Sequence, residues 1–96
     1  MSTETEAIKI FESALRLCRV KLANPSGQEE VLASVEQQLL YLISIARDIS
    51  ADRSRLKEII LAIYSVREFE GDRQFADLLS RSDSYARILR SGTWGT

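Results

Sequence analysis

Apolar residues recur at Ile8, Phe11, Leu15, Cys18 and Leu22, in alternating steps of three and four that lay the side chains on one helical face. The spacing predicts a helix over residues 3–23. Asn24-Pro25-Ser26-Gly27 ends it, because proline disfavours the helical conformation of the residue before it and Asn and Gly turn the chain readily. Ser26 with Glu29 three residues later has the spacing of a capping box and opens a second helix over residues 27–49. Its seam, Leu32, Val35, Leu39, Leu42, Ala46 and Ile49, is the most regular in the chain. Val31, Ile43 and Ile45 widen that stripe on both flanks, as expected of a central helix with neighbours on two sides.

Ser50-Ala51-Asp52 interrupts the pattern, and Asp52 suits the N-cap of a third helix over residues 53–70. The apolar face of that helix reads Leu56, Ile59, Ile60, Ile63 and Val66, and Gly71 closes it. A weaker stripe of Phe75, Leu78, Leu79, Tyr85, Ile88 and Leu89 predicts helix over residues 73–90. Ser80, Ser82, Asp83 and Ser84 are poor helix-interior residues, so the segment reads as one frayed helix or two short ones. Residues 91–96 contain two glycines and read as a mobile tail. No segment alternates with a period of two, and short connections force neighbouring helices antiparallel. The expected architecture is all-α: a small antiparallel up-down helical bundle of three main helices plus a weaker C-terminal helix or pair of short helices.

Composition narrows the function classes. The 96 residues, 45% hydrophobic and 28% charged, fit a single globular domain spanning residues 1–96. Thirteen basic residues against 14 acidic ones give a net charge of -1, which lacks the basic field of a nucleic-acid module. Arg53, Arg55 and Lys57 are flanked by Asp48, Asp52 and Glu58, so salt pairing accounts for them better than phosphate contact. The polar, acidic start resembles no signal peptide, no run approaches a membrane span, and the single cysteine cannot pair within the chain. The expected compartment is cytoplasmic, with neither membrane nor nucleic acid as partner.

The absence of histidine removes the side chain most used for acid-base work and the commonest metal ligand. No phosphate-binding loop or dinucleotide glycine pattern is present either. Catalytic, metal and cofactor-binding residues are therefore all expected to be none, and Cys18, on the core stripe, reads as a small buried hydrophobe. The acidic residues are more informative. A fold about residue 51 sets the start of the second helix beside the end of the third, so Glu29, Glu30 and Glu36 meet Glu68, Glu70 and Asp72. Arg19, Lys21, Arg67 and Arg73 are the nearby cations, with Arg67 placed to reach Glu36. The outward face of the second helix reads Glu30, Ser34, Gln37, Tyr41, Ser44 and Asp48, which leaves Tyr41 as its one large ring. Tyrosine is enriched at interface hot spots because it adds rigid area and a hydrogen bond, although lone exposed rings are also common.

The run Glu36-Gln37-Gln38-Leu39-Leu40-Tyr41-Leu42, then Asp52-Arg53-Ser54, then Val66-Arg67-Glu68-Phe69-Glu70 resembles a family of small helical immunity proteins of bacterial type VI secretion. That family neutralises NAD(P)+ glycohydrolase toxins, and the likeness covers residues 29–89. The resemblance implies a non-enzymatic cytoplasmic protein that binds the catalytic domain of a cognate toxin and obstructs its nucleotide site. Gln37, Tyr41, Glu68 and Glu70 lie in the matched segments, and neighbouring Glu30 and Asp72 join them on electrostatic grounds as expected partner-binding residues. The alternative is a self-associating helical adaptor with no toxin partner. The regular seam of the second helix would serve a homodimer as readily as an internal core.

Overall fold

The computed structural model describes residues 3–24, 27–48 and 50–91. Four α-helices follow in order, α1 (Thr3–Leu22), α2 (Glu29–Arg47), α3 (Leu61–Arg67) and α4 (Arg73–Ser91), with a turn of 3-10 helix at Leu56–Glu58. No strand occurs among the described residues, so the all-α expectation holds. Contacts between helix ends fix the directions. The Cys18 thiol, near the end of α1, donates to the Leu32 carbonyl near the start of α2 at 3.2 Å. At the opposite end of the pair Arg47 bonds Glu12 at 2.9 Å, so the two helices are antiparallel. By the same logic α1 and α4 are antiparallel, since Lys21 pairs with Asp72 and the Tyr85 hydroxyl donates to Glu6.

Phe11, Ala14, Leu15 and Cys18 of α1 are buried against Leu32, Val35, Leu39 and Leu42 of α2 and Phe75, Leu79, Ala86 and Leu89 of α4, forming one core. The small residues Ala7, Ala14 and Ala86 are almost without solvent contact. An edge-to-face contact of Phe11 with Tyr85, ring centres 6.3 Å apart, joins α1 to α4. The helices with packed neighbours on both sides are thus α1, between α2 and α4, and α4, between α1 and α3, whereas the broad stripe of α2 had suggested that α2 was central. Gly27, just before α2, has a φ of 84°, a left-handed conformation that glycine adopts without the steric penalty of a Cβ. Its N–H donates to Glu29. The other half of the expected capping box, Ser26, lies outside the described residues, as do Ile49 and residues 92–96.

Two expectations need correction. The helix expected over residues 53–70 is not continuous: a turn, the single 3-10 turn and an extended Ile59 precede a seven-residue α3. Asp52 closes a turn with Ser54, accepting from its N–H and hydroxyl, both at 2.9 Å. Beyond it, side chains from other helices replace the carbonyl acceptors that a helix would use. The Tyr41 hydroxyl accepts the Arg55 N–H at 3.2 Å, Gln38 Oε1 the Ile60 N–H at 2.9 Å and Asp83 Oδ2 the Ala62 N–H at 3.0 Å. The phase of α3 differs as well. Leu56, Leu61, Ser65 and Phe69 are buried, while Ile60, Ile63 and Val66 are exposed. The segment after Gly71, by contrast, is one uninterrupted helix. Its serines do not break it because Ser80 and Ser84 face solvent, small Ser82 fits the packed seam, and Asp83 is employed as the cap of α3.

Candidate functional site

The outward side of α2 and the connection after it build one polar cleft. Ser34, Gln37, Gln38 and Tyr41 line it from α2, and Arg55, Glu58, Ile59 and Ile60 from the connection, around about 220 Å³. Residues 34, 37, 38 and 41 share one helical face, which is why one helix supplies four of the lining side chains. The Tyr41 hydroxyl donates to the Asp52 carbonyl at 2.8 Å while accepting the Arg55 N–H. The Arg55 guanidinium lies 5.7 Å from the centre of the Tyr41 ring, within the range of cation–π attraction. Tyr41 is therefore half-buried and holds the connection in place, with only part of its ring available to a partner. Gln37 stays exposed beside it. Ser34 accepts from both Gln38 and Tyr64, at 3.1 and 3.2 Å, and so ties α3 to the floor of the cleft.

The acidic end forms where the sequence places it, but its members differ in freedom. Gln28 Nε2 donates to the Glu68 carbonyl at 2.9 Å, fixing the start of α2 beside the end of α3. Glu30, Glu68 and Glu70 are exposed and have no ion pair among the described residues. Asp72 is engaged within the chain. It pairs with Lys21 and accepts the Phe75 N–H at 3.3 Å as the cap of α4. The Lys21 hydrogen bond holds its carboxyl below the usual carboxylate range, more strongly than partial burial pushes it up. Lys21 also stands 5.3 Å from the centre of the Phe75 ring. Glu36 pairs with Arg19 at 3.1 Å, so the Arg67 contact expected from the sequence does not form and Arg67 remains exposed.

Among the described residues the arrangement offers binding surface and no reaction centre. No group of three or more Cys, Asp or Glu side chains that could hold a metal ion occurs among the described residues. Cys18 is buried, and desolvation, with the Glu36 charge adding to it, pushes its thiol up to about 11. It is consequently protonated and unreactive near neutral pH. No described helix is long and apolar enough to cross a membrane.

Sequence reasoning missed the exposed apolar ridge of α3, having assigned Ile60, Ile63 and Val66 to the core. Residues 59–66 are apolar almost all round, so periodicity alone does not give the phase. One signal was present: continuing the assumed stripe brings Arg67 onto it, whereas the stripe through Leu61 and Ser65 continues to Phe69.

Three comparisons bear on the chain as a whole. The family described as Tsi6 matches residues 6–88. The immune protein Tsi6 of Pseudomonas aeruginosa (strain PAO1) is 38% identical over 86 residues, covering 88% of each chain. A chain in the solved structure of Tse6 in complex with Tsi6 superposes with a TM-score of 0.84 at 33% identity, covering 90% of this chain and 92% of that one.

Proposed function

Since the chain belongs to the Tsi6 family, we propose that it is an immunity protein that binds a cognate toxin domain and silences it by covering the active site. The observation that carries this reading is the likeness, over nine-tenths of both chains, to a chain of the Tse6 complex with Tsi6. The toxin in question degrades NAD(P)+ and is delivered by type VI secretion, and the protein meets it in the cytoplasm. It acts without catalysis of its own, by steric and electrostatic occlusion.

The charge distribution supports this mechanism. A cleft that binds an anionic dinucleotide is electropositive, and Glu30, Glu68 and Glu70 present free carboxylates at one end of the molecule, a complement that steers encounter and fixes orientation. Gln37 and the exposed edge of Tyr41 extend the contact along α2. Asp72 acts by holding the start of α4 beneath them. The adaptor reading loses its motive, because the α2 seam offered to a second copy is fully occupied: Leu32, Val35, Leu39 and Leu42 are at most 1% exposed within one chain.

Co-expression with the product of the adjacent gene tests the proposal. The two proteins should co-purify, cells carrying the toxin should survive only when this chain is present, and the isolated chain should turn over no NAD(P)+. Failure of the pair to associate, or turnover by the chain alone, would overturn it.

A further inference from the structure

Resting on the immunity reading, we propose that the outer ridge formed by Ile60, just before α3, and by Ile63 and Val66 of α3 is the apolar anchor that seats in a groove of the toxin's catalytic domain. These three are 37%, 47% and 69% exposed and make up most of the large exposed apolar side chains among the described residues. The other two, Val20 and Leu40, border a groove between α1 and α2. Of the three arginines that line it, Arg19 and Arg47 are already bound to Glu36 and Glu12, and Arg16 is exposed.

The ridge is held in shape before any partner arrives. Gln38 of α2 fixes the backbone at Ile60, and Asp83 of α4 fixes it at Ala62. Tyr64 is tied to Ser34 and Ser65 to the Ala62 carbonyl. A preformed ridge loses little conformational freedom on docking, which raises affinity for a given contact area. Isoleucine and valine facing water would be replaceable by polar residues if α3 only had to cover the core.

Charge identifies the occupant's chemistry. The ridge runs directly into exposed Glu68 and Glu70, neither of which is ion-paired among the described residues, and Glu30 lies near them across the Gln28 tie. Arg90 lines the cleft on the α4 side of Ile60 and Ile63, beside the Asp83–Arg87 pair, and Arg67 is exposed at the end of α3. The complementary groove has an apolar floor, cationic groups where it meets Glu68 and Glu70, and a carboxylate opposite Arg90. That order of charge sets the direction in which the ridge lies. A nucleotide-binding cleft supplies the cationic end.

Binding of purified toxin catalytic domain to full-length Ile63→Gln, Val66→Gln and the double variant, measured by interferometry, tests the assignment, with Val20→Gln as the control on the other apolar face. Each ridge variant should lose about tenfold in affinity and the pair more, while Val20→Gln binds like wild type. Circular dichroism checks each fold, and Val66→Gln, at the most exposed position, keeps the test usable if Ile63→Gln unfolds. Wild-type affinity in the folded ridge variants overturns this inference and leaves the immunity reading standing; a wild-type chain that does not bind toxin overturns both. A dimer in sedimentation that the ridge variants dissociate would assign the ridge to a second copy and overturn the inference as well.

Discussion

At the residue scale, the most perturbed group is Cys18. Its thiol is enclosed where α1 meets α2 and donates to the Leu32 carbonyl, and burial raises it from an ordinary 9.0 to about 11. Ionisation is thus disfavoured in the fold and unhindered in the unfolded chain. The stability tied to this thiol is complete below about pH 9 and is lost as pH rises toward 11. Urea midpoints between pH 8 and 11 should fall more steeply for wild type than for Cys18→Ala; parallel curves would show that the thiol is not buried as described. Asp72 has the opposite sign. Its lowered carboxyl adds stability above its ordinary range that is lost on acidification. The burial of Cys18 was legible in the sequence from its place on a regular stripe. Its bond to Leu32 was not, because no local pattern tells which carbonyl of another helix lies opposite.

At the scale of elements, legibility follows how two-sided each helix is. The stripes of α1 and α2 each alternate with a polar face, so one phase satisfies burial: Phe11, Leu15, Cys18, Leu32, Val35, Leu39, Leu42 and Ala46 are buried as read, and Ile8 and Leu22 at the ends of the α1 stripe are partly buried against them. In α3 both candidate faces are apolar, and the choice between them is made by Gln38, Tyr41 and Asp83, residues 14 to 22 positions away in sequence that capture backbone N–H groups from a distance. A helix of seven residues is also too short to be stable alone, so its phase is dictated by packing. The two phases predict different energetics. Leu61→Ala and Leu39→Ala should each destabilise by about 2 to 5 kcal/mol, since both side chains are without solvent contact. Ile63→Ala should fall within about 0.5 kcal/mol of wild type. Chemical denaturation of the three variants decides the matter, and a large loss at Ile63 would restore the continuous helix expected from the sequence.

At the scale of the whole molecule, charge and shape act together. The acidic end could be located from topology alone, because any turn near residue 51 brings residues 29–30 and 68–70 together. Which acids remain free could not, because Lys21 and Arg19 come from α1 and select Asp72 and Glu36. Reversing Glu68 and Glu70 to Lys should mainly slow association with the toxin and flatten its dependence on ionic strength, leaving dissociation little changed, as rim charges act on encounter. Association rates measured across a salt series would show this, and unaltered rates would remove the acidic end from the interface. Asp83 has a consequence for motion. Because α3 is a seven-residue helix capped by a side chain of α4, 21 residues further along the chain, its opening is expected to be the least costly partial unfolding, with α1, α2 and α4 left in place. Its amides should exchange with deuterium through that partial opening, well before those of the core helices. A toxin seated on α3 would close this route, so the slowing of exchange on binding should be concentrated in residues 61–67, and Asp83→Asn should hasten exchange there in the free protein.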